Sequence, residues 1–251
     1  MNLKVLLGFT SLVMSVSIAN ANPYGFKVEV ALESLLTPSQ GWDDNDHIQA
    51  VAFGYLPNGC YTLADARVEY LGGNKFSVKQ FAHKVTNGLC SYNGEGLLPH
   101  MRSRIPFTSE IPIGKLASGG YELAYLKQSS GWGMRYFNVS NSIAPMIDSK
   151  LYANVSQEIT PDVLNGVDIL NVTLKGMLNS ACVELDKVEI VKENDVYVLL
   201  PILKTVAVAC ADVLTPFETT LSLGSQAPGN YLIHSRSQNG KSVNHVVRVM
   251  R

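Results

Sequence analysis

The chain has 251 residues, a formal net charge of −1, 16% charged residues and 46% hydrophobic residues. It lacks the excess of Lys and Arg that binding to nucleic acid or to an anionic membrane surface requires, so we do not expect those partners. The hydrophobic content is sufficient for packed cores, and the length fits one large all-β domain or two ordinary domains.

The first 21 residues have the pattern of a secretory signal peptide. Lys4 supplies the positive start, residues 5–16 are mostly apolar, and Ala19-Asn20-Ala21 offers the small-x-small site that signal peptidase cleaves. The apolar run is too short to span a bilayer, and no later stretch of the sequence is long and apolar enough to do so. We therefore predict a mature chain that starts at Asn22, is secreted or periplasmic, and has no transmembrane segment.

The predicted elements are short runs rich in β-branched and aromatic residues, separated by turn residues. In chain order they are FKVEVAL (26–32), IQAVAFGYL (48–56), ARVEYL (66–71), KFSVKQF (75–81), YELAYL (121–126), MRYFNV (134–139), VEIV (188–191), VYVLL (196–200), NYLIHS (230–235) and VNHVVRV (243–249). No segment shows a sustained helical period, so the sequence predicts an all-β protein.

The chain contains an internal repeat. PFTSEIPIGKLASGGY (106–121) and PFETTLSLGSQAPGNY (216–231) share Pro, Phe, Gly, Gly and Tyr at an offset of 110, and GYLPNGCYTL (54–63) matches GMLNSACVEL (176–185) at an offset of 122. With about seven short strands in each repeat, the pattern is typical of immunoglobulin-like β-sandwiches. We predict a signal peptide at 1–21, a first domain at 22–140, a linker at 141–149 and a second domain at 150–251.

The four cysteines are predicted to form two disulfides, because an exported chain meets an oxidising compartment. The repeat implies one bridge in each domain, Cys60–Cys90 and Cys182–Cys210. A metal or redox site would need closer spacing, such as CxxC, which the sequence lacks.

The repeated pattern of Asn-x-x-Cys or Asn-Gly-Cys, a later Cys, Pro-Phe and a final Gly-x-Tyr or Gly-Tyr resembles tandem immunoglobulin-like domains of secreted bacterial proteins. The resemblance implies fold and compartment and carries no catalytic residue. Tyr121 and Tyr231 also resemble the tyrosine corner of immunoglobulin-like folds, in which the phenol bonds to nearby backbone.

The change of offset from 122 to 110 places an insertion in the first repeat. It lies in the loop 91–104, which the second repeat lacks, and loops on rigid β scaffolds often carry recognition. We therefore predict binding residues in this loop and at a neighbouring hairpin tip: Tyr92, Leu98, His100, Met101, Arg102, Arg104 and Trp132. The alternative is that the loop covers its own sandwich or packs against the second repeat.

The acidic stretch GWDDNDH (41–47) offers Asp43, Asp44 and Asp46 as oxygen ligands of the kind that Ca²⁺ prefers. The alternative is a solvated turn whose side chains bond to their own backbone. No other cofactor is expected.

These observations predict a non-catalytic binding or structural protein whose partner is a protein or another macromolecule of the cell envelope. One alternative is a protease inhibitor that presents the loop 91–104, with Arg102 or Arg104 as the specificity residue. A second is a hydrolase that uses carboxylates at the domain junction.

Overall fold

The computed structural model describes residues 25–86, 90, 102–142, 151–207 and 209–251, and the predicted signal peptide and most of the predicted linker lie outside this part. The described residues form seventeen strands and a 3₁₀ turn at Gln238–Gly240. Within these ranges, no helix has the length and apolarity needed to cross a membrane. The predicted all-β fold is confirmed.

The first half of the chain forms a sandwich of two sheets. One sheet has the order β2-β4-β7, and the other has the order β1-β6-β8-β9-β3 with β5 paired to β6. The strands are β1 (Phe26–Val30), β2 (Leu32–Leu36), β3 (Trp42–Asp43), β4 (Ile48–Leu56), β5 (Tyr61–Gly72), β6 (Lys75–Lys84), β7 (Ile105–Gly114), β8 (Gly119–Leu126) and β9 (Trp132–Ser140).

The second half repeats this topology except for β1, in whose place it has a single bridge between Tyr152 and Ile202. Its sheets have the orders β10-β12-β15 and β11-β17-β16-β14-β13. The strands are β10 (Asn154–Ile159), β11 (Val163–Asn165), β12 (Ile169–Leu178), β13 (Val183–Glu193), β14 (Val196–Thr205), β15 (Thr215–Ser225), β16 (Gly229–Ser237) and β17 (Lys241–Met250). Each half has its own buried core, centred on residues such as Leu123 and Phe137 in the first and Leu174 and Ile233 in the second.

Each sandwich contains two parallel strand pairs beside its hairpins, one of which joins β3 to β9 in the first half and β11 to β17 in the second. Strand β6 runs parallel to β8, with Lys75 opposite Glu122, and β14 runs parallel to β16, with Val196 opposite Leu232. An immunoglobulin domain is built from antiparallel sheets. The repeated halves are therefore β-sandwiches with their own strand order, common to both.

The repeated sequence string is framework in both halves. Pro106 and Pro216 lie in β7 and β15, which are outer strands of the three-stranded sheets, where a missing N–H is tolerated. The hydroxyl of Tyr121 donates to the Ala117 carbonyl at 2.7 Å, and that of Tyr231 donates to the Ala227 carbonyl at 3.0 Å. The tyrosine-corner bond predicted from the sequence is therefore present twice, each time to the residue four positions upstream.

Both predicted disulfides are confirmed. Cys60 bonds to Cys90 and Cys182 bonds to Cys210, each with Cα atoms 5.5 Å apart. Each bridge closes the open end of a hairpin, β5–β6 in the first sandwich and β13–β14 in the second. Every cysteine is thus engaged within its own half.

The two sandwiches stack through sheet faces. Leu36 and Val51 from the sheet β2-β4-β7 pack with Val196, Val198 and Leu232 from the larger sheet of the second half. This buried cluster joins the halves into one continuous body.

Candidate binding cleft

A cleft of about 660 Å³ lies at one end of the first sandwich, alongside β1. Strand β1 is the last strand of its sheet and pairs along one side with β6, from Phe26 opposite Lys84 to Val30 opposite Gln80. No described strand pairs with its other side. The lining combines this strand with the ends of its neighbours: Phe26, Val28, Glu29, Val30, Ala31, Tyr55, Pro57, Tyr61, Lys84, Arg104 and Gln128.

Arg104 is fixed at the cleft by an aromatic ring and an amide. Its guanidinium carbon lies 4.5 Å from the centre of the Tyr55 ring, and an Nη atom donates to Oε1 of Gln128. The Gln128 amide in turn donates to the Tyr55 carbonyl at 2.8 Å, and the Gln128 backbone N–H donates to the Leu32 carbonyl at 2.8 Å. Ring and amide together hold an exposed cation in one place, which lowers the entropy cost of using it in binding.

The opposite part of the lining carries a second cation and two more rings. The Lys84 ammonium lies 5.6 Å from the centre of the Phe26 ring and 6.0 Å from that of Tyr61. Glu29 is the acidic residue in the lining. The described lining therefore combines aromatic surface with two cations and one carboxylate.

The disulfide of the first sandwich anchors the inserted segment beside this cleft. Cys60 directly precedes Tyr61, and the Val85 N–H donates to the Cys60 carbonyl at 2.9 Å. Cys90, which directly precedes the insertion in sequence, is bonded to Cys60 next to Tyr61, and Arg104, the last residue of the insertion, lines the cleft.

The predicted binding residues do not form one site among the described residues. Tyr92, Leu98, His100 and Met101 lie outside the described residues, Arg102 is exposed, and Arg104 lines the cleft. Trp132 is 61% exposed on the outer face of β9 and does not line the cleft. The turn that precedes Trp132 does contribute, because it contains Gln128.

Sequence reasoning missed most of the lining. Tyr55 and Tyr61 belong to strands whose apolar pattern predicts packing, and Lys84 ends a strand of ordinary composition. Tyr61 and Lys84 could have been predicted from their proximity in sequence to Cys60 and Cys90, because a disulfide at the end of a hairpin brings the residues that flank it together.

The predicted calcium ligands have protein partners. Asp46 is fully buried, one carboxylate oxygen pairs with the Arg236 guanidinium, and the other accepts the Asp43 N–H at 2.8 Å. Asp44 accepts the Ser142 N–H at 3.0 Å. Hydrogen bonds from the Ser142 side chain and backbone lower the pKa of Asp44.

These contacts favour the alternative reading of the acidic stretch as a structural turn. Asp43 accepts the Asn45 N–H at 3.2 Å, which is the local bond expected of such a turn. Among the described residues, no group of three or more His, Cys, Asp or Glu side chains is placed to hold a metal.

The junction between the sandwiches is polar as well as apolar. Arg236 is 5% exposed and also donates to the Gly41 carbonyl, next to its ion pair with Asp46. His234 is buried against the ring of Trp42, with centroids 4.8 Å apart, and its Nδ1 lies 2.7 Å from Oδ1 of Asn244. Burial lowers the pKa of His234 to about 4, and the Arg236 charge acts in the same direction.

Comparison with known proteins supports the fold of the second half. Residues 172–249, which run from β12 into β17, match a family described as ORF11 beta-sandwich domain. No curated protein and no solved structure matches the chain. The match covers less than half of the chain, and it agrees with the sandwich that the structure shows there.

Proposed function

We propose that the protein is a secreted or periplasmic, non-catalytic binding protein that holds an extended, acidic segment of a partner protein in the cleft of its first sandwich. Its two β-sandwiches act as a rigid scaffold of the kind found in immunoglobulin-like domains of secreted bacterial proteins. The cleft along β1 is the observation that carries this proposal.

The chemistry of the cleft supports a peptide partner. An outer strand with one unpaired side can take up an extended segment by adding it to the sheet, while neighbouring side chains select its residues. Phe26, Tyr55 and Tyr61 supply aromatic surface, and Lys84 and Arg104 supply charge for acidic side chains. The loop 91–104, which ends at Arg104 in this surface, is proposed to contribute further contacts.

The proposed compartment rests on the signal-like segment 1–21 and on two disulfides. Structural disulfides persist in secreted and periplasmic proteins and are rare in a reducing cytosol.

Contacts of particular residues weigh on the two alternative functions. The specificity residue of a protease inhibitor must enter the pocket of the enzyme, and Arg104 is less suited to this because it packs on Tyr55 and Gln128 of its own sandwich. The exposed Arg102 is the residue through which the inhibitor alternative would act. For a hydrolase at the junction, the two carboxylates with arginine partners, Asp46 with Arg236 and Asp195 with Arg135, are held as ion pairs. Glu193, another carboxylate there, accepts the N–H and the hydroxyl of Ser39.

A peptide-display selection with the mature protein tests the proposal. We expect enrichment of extended sequences that contain Asp or Glu, and a synthetic copy of an enriched peptide should bind in calorimetry. The double variant Lys84→Gln/Arg104→Gln should lower its affinity about tenfold or more, as expected for the loss of charged contacts. The matched control Lys75→Gln/Lys79→Gln removes two cations from the same strand region outside the cleft and should leave the affinity unchanged. Equal affinity in both double variants, or no enrichment, would overturn the proposal.

A further inference from the structure

The outer face of β8 and β9 carries an exposed apolar stripe that the proposed cleft does not use. Trp132, Met134 and Tyr136 occupy every second position of β9 and are 61%, 41% and 63% exposed. Gly133 and Phe137 lie on the opposite face of the strand and are buried. We call the apolar residues of this face the β8–β9 stripe: Ala124, Leu126, Trp132, Met134 and Tyr136. Glu122 lies on the same face, opposite Tyr136, at the end of the stripe.

The register of the hairpin makes the stripe continuous. Leu126 lies opposite Trp132, and Ala124 lies opposite Met134. The charged side chains beside the stripe are paired with one another, Lys75 with Glu122 at 3.5 Å and Lys79 with Glu69 at 2.6 Å. Contiguous exposed apolar surface of this kind marks interaction sites.

The internal repeat shows what this face of the sandwich packs against. The equivalent face in the second half belongs to β16 and β17, where Leu232 and Val246 take the places of Glu122 and Tyr136 at the offset of 110. That face is covered by another sandwich of the same chain, since Leu232 and Val246 pack with Leu36 and Val51. Among the described residues, no sandwich covers the β8–β9 stripe, in which Trp132, Met134 and Tyr136 are exposed and Ala124 and Leu126 are half-buried.

The stripe is also more apolar along β9 than its covered equivalent along β17. Trp132 and Met134 correspond to Ser242 and Asn244 in the second half. Leaving the more apolar of two equivalent faces in water is unfavourable, because burying apolar surface contributes about 25 cal/mol per Å².

We infer that two copies of this chain stack through the β8–β9 stripe, face to face about a two-fold axis. The other free sheet face of the chain, on β12, presents Asn171, Thr173 and Lys175 between Ile169 and Met177, so polar side chains interrupt its apolar surface. The surface that best matches the stripe of one copy is therefore the stripe of the other copy. A two-fold pairing buries Trp132 and Met134 of both copies at once, with the same patch on each side.

The expected dimer is weak. The stripe supplies only a few apolar residues per copy, which makes an interface smaller than the standard size of about 1,600 Å². Because area alone does not set affinity, the test covers a wide range of concentrations. The stripe and the cleft are separate surfaces, so this inference does not depend on the proposed function.

Sedimentation velocity of the mature chain, from about 1 to 200 μM, tests for the dimer over the concentrations at which a weak interface forms. The wild-type protein should shift from monomer to dimer over this range. In a dimer, Met134→Lys would place two ammonium groups close together near the two-fold axis, and Tyr136→Arg would place two guanidinium groups beside it. Because like charges repel, both variants should remain monomeric. Their melting temperatures should stay close to that of the wild type, because both side chains are exposed.

Ile169→Lys is the matched control. It places the same charge on another exposed apolar side chain, on β12 of the second sandwich, and should leave the dimer intact. A wild-type chain that stays monomeric at all concentrations, or a Met134→Lys variant that dimerises as the wild type does, would overturn the inference.

Discussion

The guanidinium of Arg104 lies over the ring of Tyr55 in the first sandwich, 4.5 Å from its centre, and the Arg248 guanidinium of the second sandwich lies 5.4 Å from the centre of the same ring. Tyr55 thus joins the end of the inserted loop to the second half of the protein. The cleft beside it is built on the scaffold that the two halves form together, and the stability of that scaffold can be tested separately from binding.

The buried ion pair between Asp46 and Arg236 should be essential to the junction. Removing one partner leaves an unpaired charge in a site that is nearly inaccessible to water, which typically costs about 3–5 kcal/mol. Asp46→Asn and Arg236→Met should each lower the free energy of unfolding by that amount in urea titrations at pH 7. The double variant should lose less than the sum of the two. A single-variant loss below about 1 kcal/mol would show that the pair contributes little, as surface pairs do.

The free energy of unfolding should fall as the protein is acidified because of His234. Its pKa is about 4 in the folded protein against 6.5 for a free histidine, so the unfolded chain binds the proton first. The contribution of the neutral ring is complete above pH 6.5 and is lost as the pH falls toward 4, by about 3 kcal/mol at most. His234→Gln should flatten this part of the pH profile in denaturant titrations. Because Glu158 acts in the opposite direction over part of this range, the test is the difference between the wild-type and variant profiles. A difference that does not change between pH 6.5 and 4 would contradict the burial of a neutral histidine.

Glu158 should have the opposite dependence. Burial raises its pKa from 4.5 to about 8, while the hydrogen bond from Ser235 opposes that shift. The folded protein therefore keeps a proton that the unfolded chain releases, and stability should decline between pH 4.5 and 8. Because Glu158 is partly accessible to solvent, we expect a decline of about 2 kcal/mol rather than the full value of the shift. Glu158→Gln should remove the decline, and an unchanged slope in that variant would assign it to another group.

The two disulfides should differ in their effect on binding but not on stability. Each closes a loop of similar length, 30 or 28 residues in sequence separation, so each Ser/Ser replacement should cost about 3–4 kcal/mol. Replacing Cys60 and Cys90 should also weaken binding of the selected peptide, because that bridge anchors the rim of the cleft. Replacing Cys182 and Cys210 is the control. Equal peptide affinity in the two folded variants would show that the inserted loop needs no anchor.

The repeat predicted the framework because framework residues recur for packing reasons. The offset of 110 aligned Pro106 with Pro216 and Tyr121 with Tyr231, and the structure gives each pair the same place and the same type of contact. The cysteine pairing followed from the same alignment. What recurs in both halves could be read from the sequence alone.

The junction and the cleft could not be read in the same way. The sequence predicted Asp46 to be a solvated or metal-binding carboxylate, because no local pattern indicates that it forms an ion pair with Arg236, 190 positions away. Arg104 was singled out as part of an insertion, but its contact with Tyr55 depends on how β4 and the β8–β9 turn meet in space. Partners so distant in sequence are set by tertiary packing, which local patterns do not encode.

The location of the bound partner tests the central claim most directly. A photo-crosslinking phenylalanine analogue at Phe26, which lines the cleft and is 49% exposed, should link covalently to the selected acidic peptide on irradiation. The same analogue at Tyr70, which is 66% exposed and lies outside the cleft lining, is the control. Our account predicts a crosslink at position 26 that excess unlabelled peptide suppresses, and none at position 70. Crosslinking at position 70 but not at position 26 would contradict the assignment of the cleft as the binding site.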